Sequence, residues 1–370
     1  MQYFRKNLLI SNFLYNFVRR LVNLPKKVKL RKIILLFGLL ALTSGVFAQG
    51  GTAVYNCLSL PYSARHNALG GSNVSTSDGD LGMALNNPAL LSQASDKQLS
   101  LNYAYYGAAM NFASVLYGHN WGHNYSGYAI HYLDYGKFAY ADEYGNLLGT
   151  TFSARDFLFE GIYARQLSHG FRIGAAIKGV YSSYESYSSF ALGADVGAYY
   201  AIPDSTLQIG LSLQNIGWQL KGFYSDEYGQ KLASLPLNLQ LGLSYKLAHA
   251  PLRFSLTIHN MQTWHLSYVG IDEKQSNNKS QDTWYNTLFC HTVWAVDIVP
   301  KKDVFWLTVS YNHRRRREMA IQDQFSLAGL AIGTGFHVKS VRIGAAFSQY
   351  TRGNFTFQAS VSLHINELMK

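Results

Sequence analysis

From residue 98 to the end of the chain, apolar and polar residues alternate in many short runs. In the run 237–247 every second residue is Leu or Tyr, and the residues between them are Asn, Gln, Gly, Ser and Lys. Successive side chains of a β-strand point to opposite faces, so a period of two predicts strands with one apolar and one polar face. No segment here is long enough for a transmembrane helix, which needs about 20 apolar residues.

The pattern recurs in about fourteen runs, an even number as in closed bacterial barrels. They cover 98–107, 109–120, 123–134, 152–166, 170–183, 188–201, 205–217, 236–247, 252–264, 286–299, 304–313, 324–338, 340–349 and 353–365. The long connections are 135–151, 218–235, 265–285 and 314–323, and short ones alternate with them. Because such barrels have short periplasmic turns and longer outer loops, we predict an all-β, transmembrane, antiparallel up-and-down β-barrel with its long loops at the cell surface.

Composition supports a strand face that meets lipid. Charged residues make up 14% of the chain and aromatic residues 15%, with 27 Tyr, whereas a soluble domain has about 25% charged residues. A soluble β-sandwich also alternates, but it carries far more charge outside. We therefore expect the apolar face to point to lipid and the polar face to line a lumen.

The first 48 residues predict a secretory signal. They contain nine Lys or Arg, no acidic residue, an apolar run at 33–46, and Val46-Phe47-Ala48 before Gln49, which fits cleavage after a small residue. Without those nine basic residues, the formal net charge falls from +11 to +2. A start codon placed too far upstream is an alternative for residues 1 to about 28.

The stretch 60–92 is dense in Gly, Ser, Asn and Asp, which make turns and local side-chain to backbone hydrogen bonds. It predicts a compact element without strands, and we assign 49–97 to an N-terminal plug segment and 98–370 to the barrel. A Gly-rich lead-in loop is the alternative. The candidate plug residues are Arg65, Gly70, Gly71, Asn87 and Pro88.

The chain carries no spacing typical of a catalytic, cofactor or metal site, so we expect a protein that is not an enzyme. Cys57 and Cys290 either link plug to wall or, as we favour, stay free thiols. The inward residues Arg172, Lys178 and Asp195 either line a solute path or, more in keeping with a filled barrel, bind the plug by hydrogen bonds.

The densest charge outside the signal is Arg314-Arg315-Arg316-Arg317. The strand count places it in an outer loop, where guanidinium groups suit lipopolysaccharide phosphates or an acidic partner. A solvated basic loop is an equal alternative.

Several short motifs carry a resemblance to a known family. They are Gly51 to Asn56, Leu60-Pro61-Tyr62-Ser63-Ala64-Arg65, Ala68-Leu69-Gly70-Gly71, Asn86-Asn87-Pro88-Ala89-Leu90, Asp134-Tyr135-Gly136-Lys137-Phe138 and Leu213-Gln214-Asn215-Ile216-Gly217. With these the chain resembles the PorQ family of the type IX secretion system, within the FadL-like barrel superfamily.

That resemblance implies a non-enzymatic barrel of the bacterial outer membrane. It would hold the surface protein PorZ beside the PorU and PorV attachment machinery, which joins exported cargo to lipopolysaccharide. The alternative is a FadL-like hydrophobic-solute transporter, and a surface enzyme is a weaker third. A transporter needs an apolar pocket in the lumen, whereas the inward residues here are Ser, Gln, Asn, Gly and Thr, which favours a filled, structural barrel.

Overall fold

The computed structural model describes residues 54–107, 109–202, 206–223, 232–264, 284–300, 304–319, 327–351 and 354–368. The signal predicted for residues 1–48 lies outside this part of the chain, and so does most of the predicted loop 265–285.

Fourteen antiparallel strands close into a barrel in which each strand pairs with its neighbours along the chain and β1 pairs with β14. The strands are β1 (Gln98–Tyr105), β2 (Asn111–Trp121), β3 (Asn124–Ala141), β4 (Leu147–Ser168), β5 (Phe171–Tyr184), β6 (Tyr187–Ala201), β7 (Leu207–Lys221), β8 (Asn238–Lys246), β9 (Leu252–Ile258), β10 (Thr292–Ile298), β11 (Phe305–Asn312), β12 (Leu330–Val338), β13 (Val341–Thr351) and β14 (Asn354–His364). Short helical turns and helix α1 (Ala64–Ala68) precede them. The predicted fold class and strand number are confirmed.

Alternation places the side chains as the sequence predicted. Along β5, Ile177 is 71% exposed on the outer face while Lys178 is 3% exposed inside. Along β8, Gln240 and Ser244 are buried on the inner face. The outer face is thus an apolar belt, and the inner face is polar.

Two stretches around the predicted loop 265–285 differ from the predicted strands. Residues 286–290, predicted as strand, belong to helix α2 (Trp284–Cys290), in which Trp284, Tyr285, Leu288 and Phe289 lie at helical spacing. Strand β9 ends at Ile258, well short of the predicted residue 264.

Two further helices follow strands directly. The four arginines lie in helix α3 (His313–Glu318). Asn312 caps the first turn of this helix, because its side chain accepts a hydrogen bond from Arg315 N at 3.1 Å. Helix α4 (Ile365–Leu368) follows β14. Among the described residues, no helix combines the length and the apolar character needed to cross a membrane.

The predicted loop 135–151 is mostly strand. Strands β3 and β4 have 18 and 22 residues, although about 9–11 residues span a bilayer. The rings of Phe138 and Phe152 stack across this hairpin with centroids 5.4 Å apart, and cross-strand aromatic pairs stabilise extended strands. Only the turn 142–146 separates the two strands.

Candidate functional site

The lumen has two ends. The long-connection end carries the connections 222–237, 259–291 and 313–329, and the short-turn end carries turns such as 122–123, 169–170 and 339–340. The N-terminal segment, defined as residues 54–97, lies against inward side chains of the wall between these ends. It consists of short helical turns and includes α1.

Side chains of the N-terminal segment cap its own turns. Ser63 Oγ accepts a hydrogen bond from His66 N at the start of α1. Asn87 Oδ1 accepts one from Ala89 N at 3.1 Å. Such caps satisfy backbone N–H groups that a short helix leaves without partners. The polar residues that predicted a turn-rich element therefore shape it directly.

Glycines bring the N-terminal segment close to the wall. Gly70 and Gly71, after α1, have φ of 87° and 76°, the left-handed region that glycine adopts most easily. On the wall, a Cβ at Gly174 would lie 2.5 Å from the carbonyl carbon of Pro88, and a Cβ at Gly210 would overlap the carbonyl of Val74. Small residues inside these strands thus make room for a neighbour.

A buried network of four charges joins the N-terminal segment to the wall. Arg65 binds Asp297 of β10 through both Nη atoms, each at 3.1 Å, and Asp78 through Nε at 2.8 Å. Arg253 of β9 donates to Asp297 at 2.8 Å and to Asp78 at 3.2 Å. Thr308 of β11 also contacts Arg65 and Asp297. With two cations and two anions, the network is neutral.

Arg65 is 1% exposed, and its guanidinium also lies 4.6 Å above the Trp306 ring. Burial alone would raise the pKa of Asp78, but Arg65 and Arg253 hold it below its usual value. Asp78 is therefore ionised at neutral pH. Burying paired charges is less costly when further hydrogen bonds fill the remaining positions. Thr308 fills such a position on Asp297, whereas Asp78 Oδ1 has no hydrogen-bond partner among the described residues.

Other contacts spread around the wall. Arg172 of β5 donates to Leu91 O at 2.8 Å and to Ser77 Oγ at 2.7 Å. Ser360 of β14 accepts a hydrogen bond from Ala64 N at 2.8 Å. Arg172 thus binds the N-terminal segment, which is the role that the sequence favoured for it.

Lys178 and Asp195 differ from Arg172, because they bind each other. Their ion pair, 2.6 Å long, stays within the wall. Asp195 sits where the β6–β7 register shifts, and its Oδ1 accepts a hydrogen bond from Asn215 N at 2.7 Å. Asn215 has φ of 59°, and a bulge of this kind re-aims a side chain. Glu160 of β4 lies opposite Lys178 in the ladder.

A cavity of about 310 Å³ opens between the N-terminal segment and the long-connection end. Its lining is mainly polar and includes Lys178, Gln240, His259, Arg314, Arg315 and Glu318, together with His66 of the segment. A smaller cavity of about 60 Å³ lies near the short-turn end, beside Asp78, Asp80 and Arg342. Within the described ranges, no three His, Cys, Asp or Glu side chains cluster closely enough to hold a metal ion.

Of the residues proposed from the sequence for partner binding, only Arg314 and Arg315 line the larger cavity. Arg314 also pairs with Glu318 at 2.6 Å. Arg317 Nη1 lies 3.6 Å from Cys290 Sγ. The four arginines therefore face different surroundings, which the sequence alone could not distinguish.

Asp297 and Arg253 are the central residues that the sequence analysis did not single out. Each is a lone charge at an inward position of an otherwise apolar and small-polar strand. That contrast is a usable signal, since an unpaired buried charge is costly and implies a partner. Cys57 and Cys290 are both buried free thiols.

Comparisons with known proteins agree with the architecture. No family model matches the chain, and no curated protein matches it. The crystal structure of the Pseudomonas putida toluene transporter TodX aligns over 82% of this chain and 97% of that chain, with 13% identity and a TM-score of 0.53. The fold is similar to that of TodX.

A deltaS2 mutant of TodX, described as a monoaromatic hydrocarbon channel, aligns over 82% of this chain and 98% of that chain, with 14% identity and a TM-score of 0.53. A Pseudomonas aeruginosa FadL homologue aligns over 77% and 94% of the two chains, with 11% identity and a TM-score of 0.40, which is too low to argue from. At these identities the likeness to TodX shows a shared fold and nothing of the substrate.

Proposed function

We propose that the protein is a barrel of the bacterial outer membrane that admits a small solute, with its long connections at the cell surface. The observation that carries this proposal is the cavity of about 310 Å³ at the long-connection end of the lumen. Ligand cavities typically measure about 300–1,000 Å³, so this one suits a small solute. TodX, which shares the fold, is itself named a transporter.

The proposed path enters at the long-connection end and meets the N-terminal segment. The neutral network of Arg65, Asp78, Arg253 and Asp297 holds that segment to the wall near the other end. Passage therefore requires the solute to reach the cavity first and the contacts of the segment to rearrange afterwards. Because polar contacts hold the segment in place, its rearrangement should be slower than the motion of a loosely attached loop. We therefore expect slow, selective passage rather than a wide pore.

Liposome swelling with the purified mature protein tests the proposal. Ser59 lines the cavity, so Ser59→Trp should fill part of it and lower the swelling rate in small solutes. Ser59→Ala adds no volume and should leave the rate unchanged. Swelling no faster than that of protein-free liposomes would overturn the proposal.

A second candidate is the attachment role suggested by the resemblance to the PorQ family, with PorZ as the surface partner and PorU and PorV alongside. What favours it is helix α3, whose four arginines lie at the long-connection end. Rim charges mainly steer association. Replacing all four arginines with Ser should then slow partner capture most strongly at low salt.

The two candidates separate in a deletion strain. The transport role predicts loss of uptake of a solute while surface cargo stays anchored. The attachment role predicts the reverse, with cargo released into the medium and uptake unchanged.

A further inference from the structure

The cavity at the long-connection end has a mainly polar lining. Its apolar lining is limited to a few side chains of the N-terminal segment, such as Leu58, Leu60 and Leu85. A hydrocarbon would leave the remaining polar groups without hydrogen bonds, which costs free energy for each of them.

Three buried side chains that line the cavity have unused hydrogen-bonding atoms. Within the described chain, His66 Nε2, His259 Nε2 and Gln240 Oε1 have no partner, although these residues are only 2%, 4% and 1% exposed. Buried polar atoms are nearly always paired in native proteins. A polar ligand or water in the cavity would supply these atoms with partners.

The tautomer of His66 follows from its contacts. Its Nδ1 accepts a hydrogen bond from Tyr62 N at 3.4 Å, so the neutral ring carries its proton on Nε2 and offers a donor. Gln240 donates through Nε2 to Gln214 at 2.8 Å, which leaves its Oε1 as an acceptor. The cavity therefore presents both a donor and an acceptor, as a hydroxylated solute requires.

Charge adds a second preference. The lining contains three cations, Lys178, Arg314 and Arg315, and one carboxylate, Glu318. Lys178 pairs with Asp195 and Arg314 with Glu318, and α3 carries both arginines of the lining. Guanidinium groups bind carboxylates and phosphates through paired hydrogen bonds.

We propose that this cavity binds a small anionic, hydroxylated solute, of the class of sugar phosphates and sugar acids, between α3 and the N-terminal segment. The proposal rests on the transport function above and names its substrate class. The anionic group lies at Arg314 and Arg315, and the hydroxyl groups meet His66 and Gln240.

Titration calorimetry on the full mature protein in detergent tests the site, with glucose 6-phosphate, glucose and toluene as the probes. We expect binding of glucose 6-phosphate and at least about tenfold weaker binding of glucose, because charge-assisted hydrogen bonds are the stronger class. Equal binding of glucose and glucose 6-phosphate, or binding of toluene instead, would overturn the proposal.

Helix α3 supplies a matched control. The variant Arg314→Gln with Arg315→Gln should weaken binding of glucose 6-phosphate at least about tenfold. The variant Arg316→Gln with Arg317→Gln removes the same charge from the same helix but leaves the cavity lining intact, and it should bind within about twofold of wild type. Equal losses in both variants would mean diffuse attraction and no site.

A third variant tests the neutral part of the site. Gln240→Leu removes the unused acceptor and should weaken binding of glucose and glucose 6-phosphate by the same factor. Binding unchanged by this substitution would contradict the assignment of the hydroxyl groups to this wall.

The calorimetry and the liposome-swelling experiment test different proposals, so their negative results can be told apart. If glucose 6-phosphate does not bind while the liposomes still swell, the substrate class is wrong and transport stands. If it binds and the liposomes do not swell, the site stands and transport is wrong.

Discussion

At the scale of single residues, the N-terminal segment depends most on Arg65. Arg65→Met would leave Asp297 and Asp78 with Arg253 as their remaining cation in the network, so one buried negative charge loses its partner. Breaking such a pair costs about 3–5 kcal/mol. We expect a loss of that size in the free energy of unfolding, measured by urea titration of the folded barrel.

Two further variants show whether charge is the cause. Arg172→Met removes contacts to the neutral acceptors Leu91 O and Ser77 Oγ and should cost less, about 1–3 kcal/mol. Adding Asp78→Asn to Arg65→Met restores neutrality and should recover part of the loss. Equal losses for the two arginine variants, with no recovery, would contradict the charge network.

The pH dependence of stability should reveal two residues with opposite signs. Burial, with nearby Arg315, lowers the pKa of His66 to about 4. Burial, with nearby Asp78, raises the pKa of Asp80 to about 6, against the opposing effects of Arg342 and Arg65. As the pH falls below about 6.5, His66 is protonated at a higher pH in the unfolded chain than in the folded chain. For Asp80 the order is reversed, and the folded chain is protonated at the higher pH.

Between pH 6.5 and 4, acidification therefore destabilises the fold through His66, by up to about 3 kcal/mol, and stabilises it through Asp80. We expect the variant His66→Gln to lose less stability than wild type between pH 6.5 and pH 4.5. Asp80→Asn keeps an oxygen for Gly82 N and should change the pH dependence in the opposite direction. Urea midpoints at the two pH values measure both, and parallel shifts would disprove the assignment.

At the scale of elements, the inner faces of β5 and β7 fit the N-terminal segment through glycines. Gly210→Ala would push a methyl group into the carbonyl of Val74, and overpacking typically costs about 1–3 kcal/mol. A methyl group at Gly161 of β4 would meet no atom within 4 Å beyond its chain neighbours, so Gly161→Ala should change stability by less than about 0.5 kcal/mol.

Protease sensitivity of residues 54–97 provides a second readout for this element. Gly210→Ala should expose the segment to limited proteolysis, whereas Gly161→Ala should not. Equal protection in both variants would mean that the segment does not depend on this close approach.

At the scale of the whole molecule, the N-terminal segment is predicted to close the lumen to ions. Deleting residues 60–92 removes its contacts to the wall but leaves the ladder of fourteen strands, including the β1–β14 closure. Conductance in planar bilayers should rise markedly relative to the intact protein. Arg65→Met, which loosens the segment without removing it, should give intermittent openings. An unchanged conductance after the deletion would show that the segment is no plug.

The sequence by itself determined the barrel. Membrane-spanning strands can satisfy all their backbone N–H and C=O groups in lipid only when they close into a barrel, and the period of two marks the strands. It also predicted the turn-rich N-terminal segment, since caps such as Ser63 and Asn87 act on neighbours a few residues away. The helix at Trp284–Cys290 was predicted as strand because short apolar runs fit two periods equally well. Residues 135–151 were predicted as a loop, although most of them extend β3 and β4.

Only the tertiary structure decided which charges meet. Asp297 lies 232 residues from Arg65 along the chain, and no local pattern encodes a contact at that separation. The same is true of the cavity, whose lining comes from the N-terminal segment, the wall and α3 together. The alternating pattern predicts that a side chain points inward, but only the closed barrel determines which other side chain it contacts inside the lumen. The lumen's chemistry therefore had to be read from the folded chain.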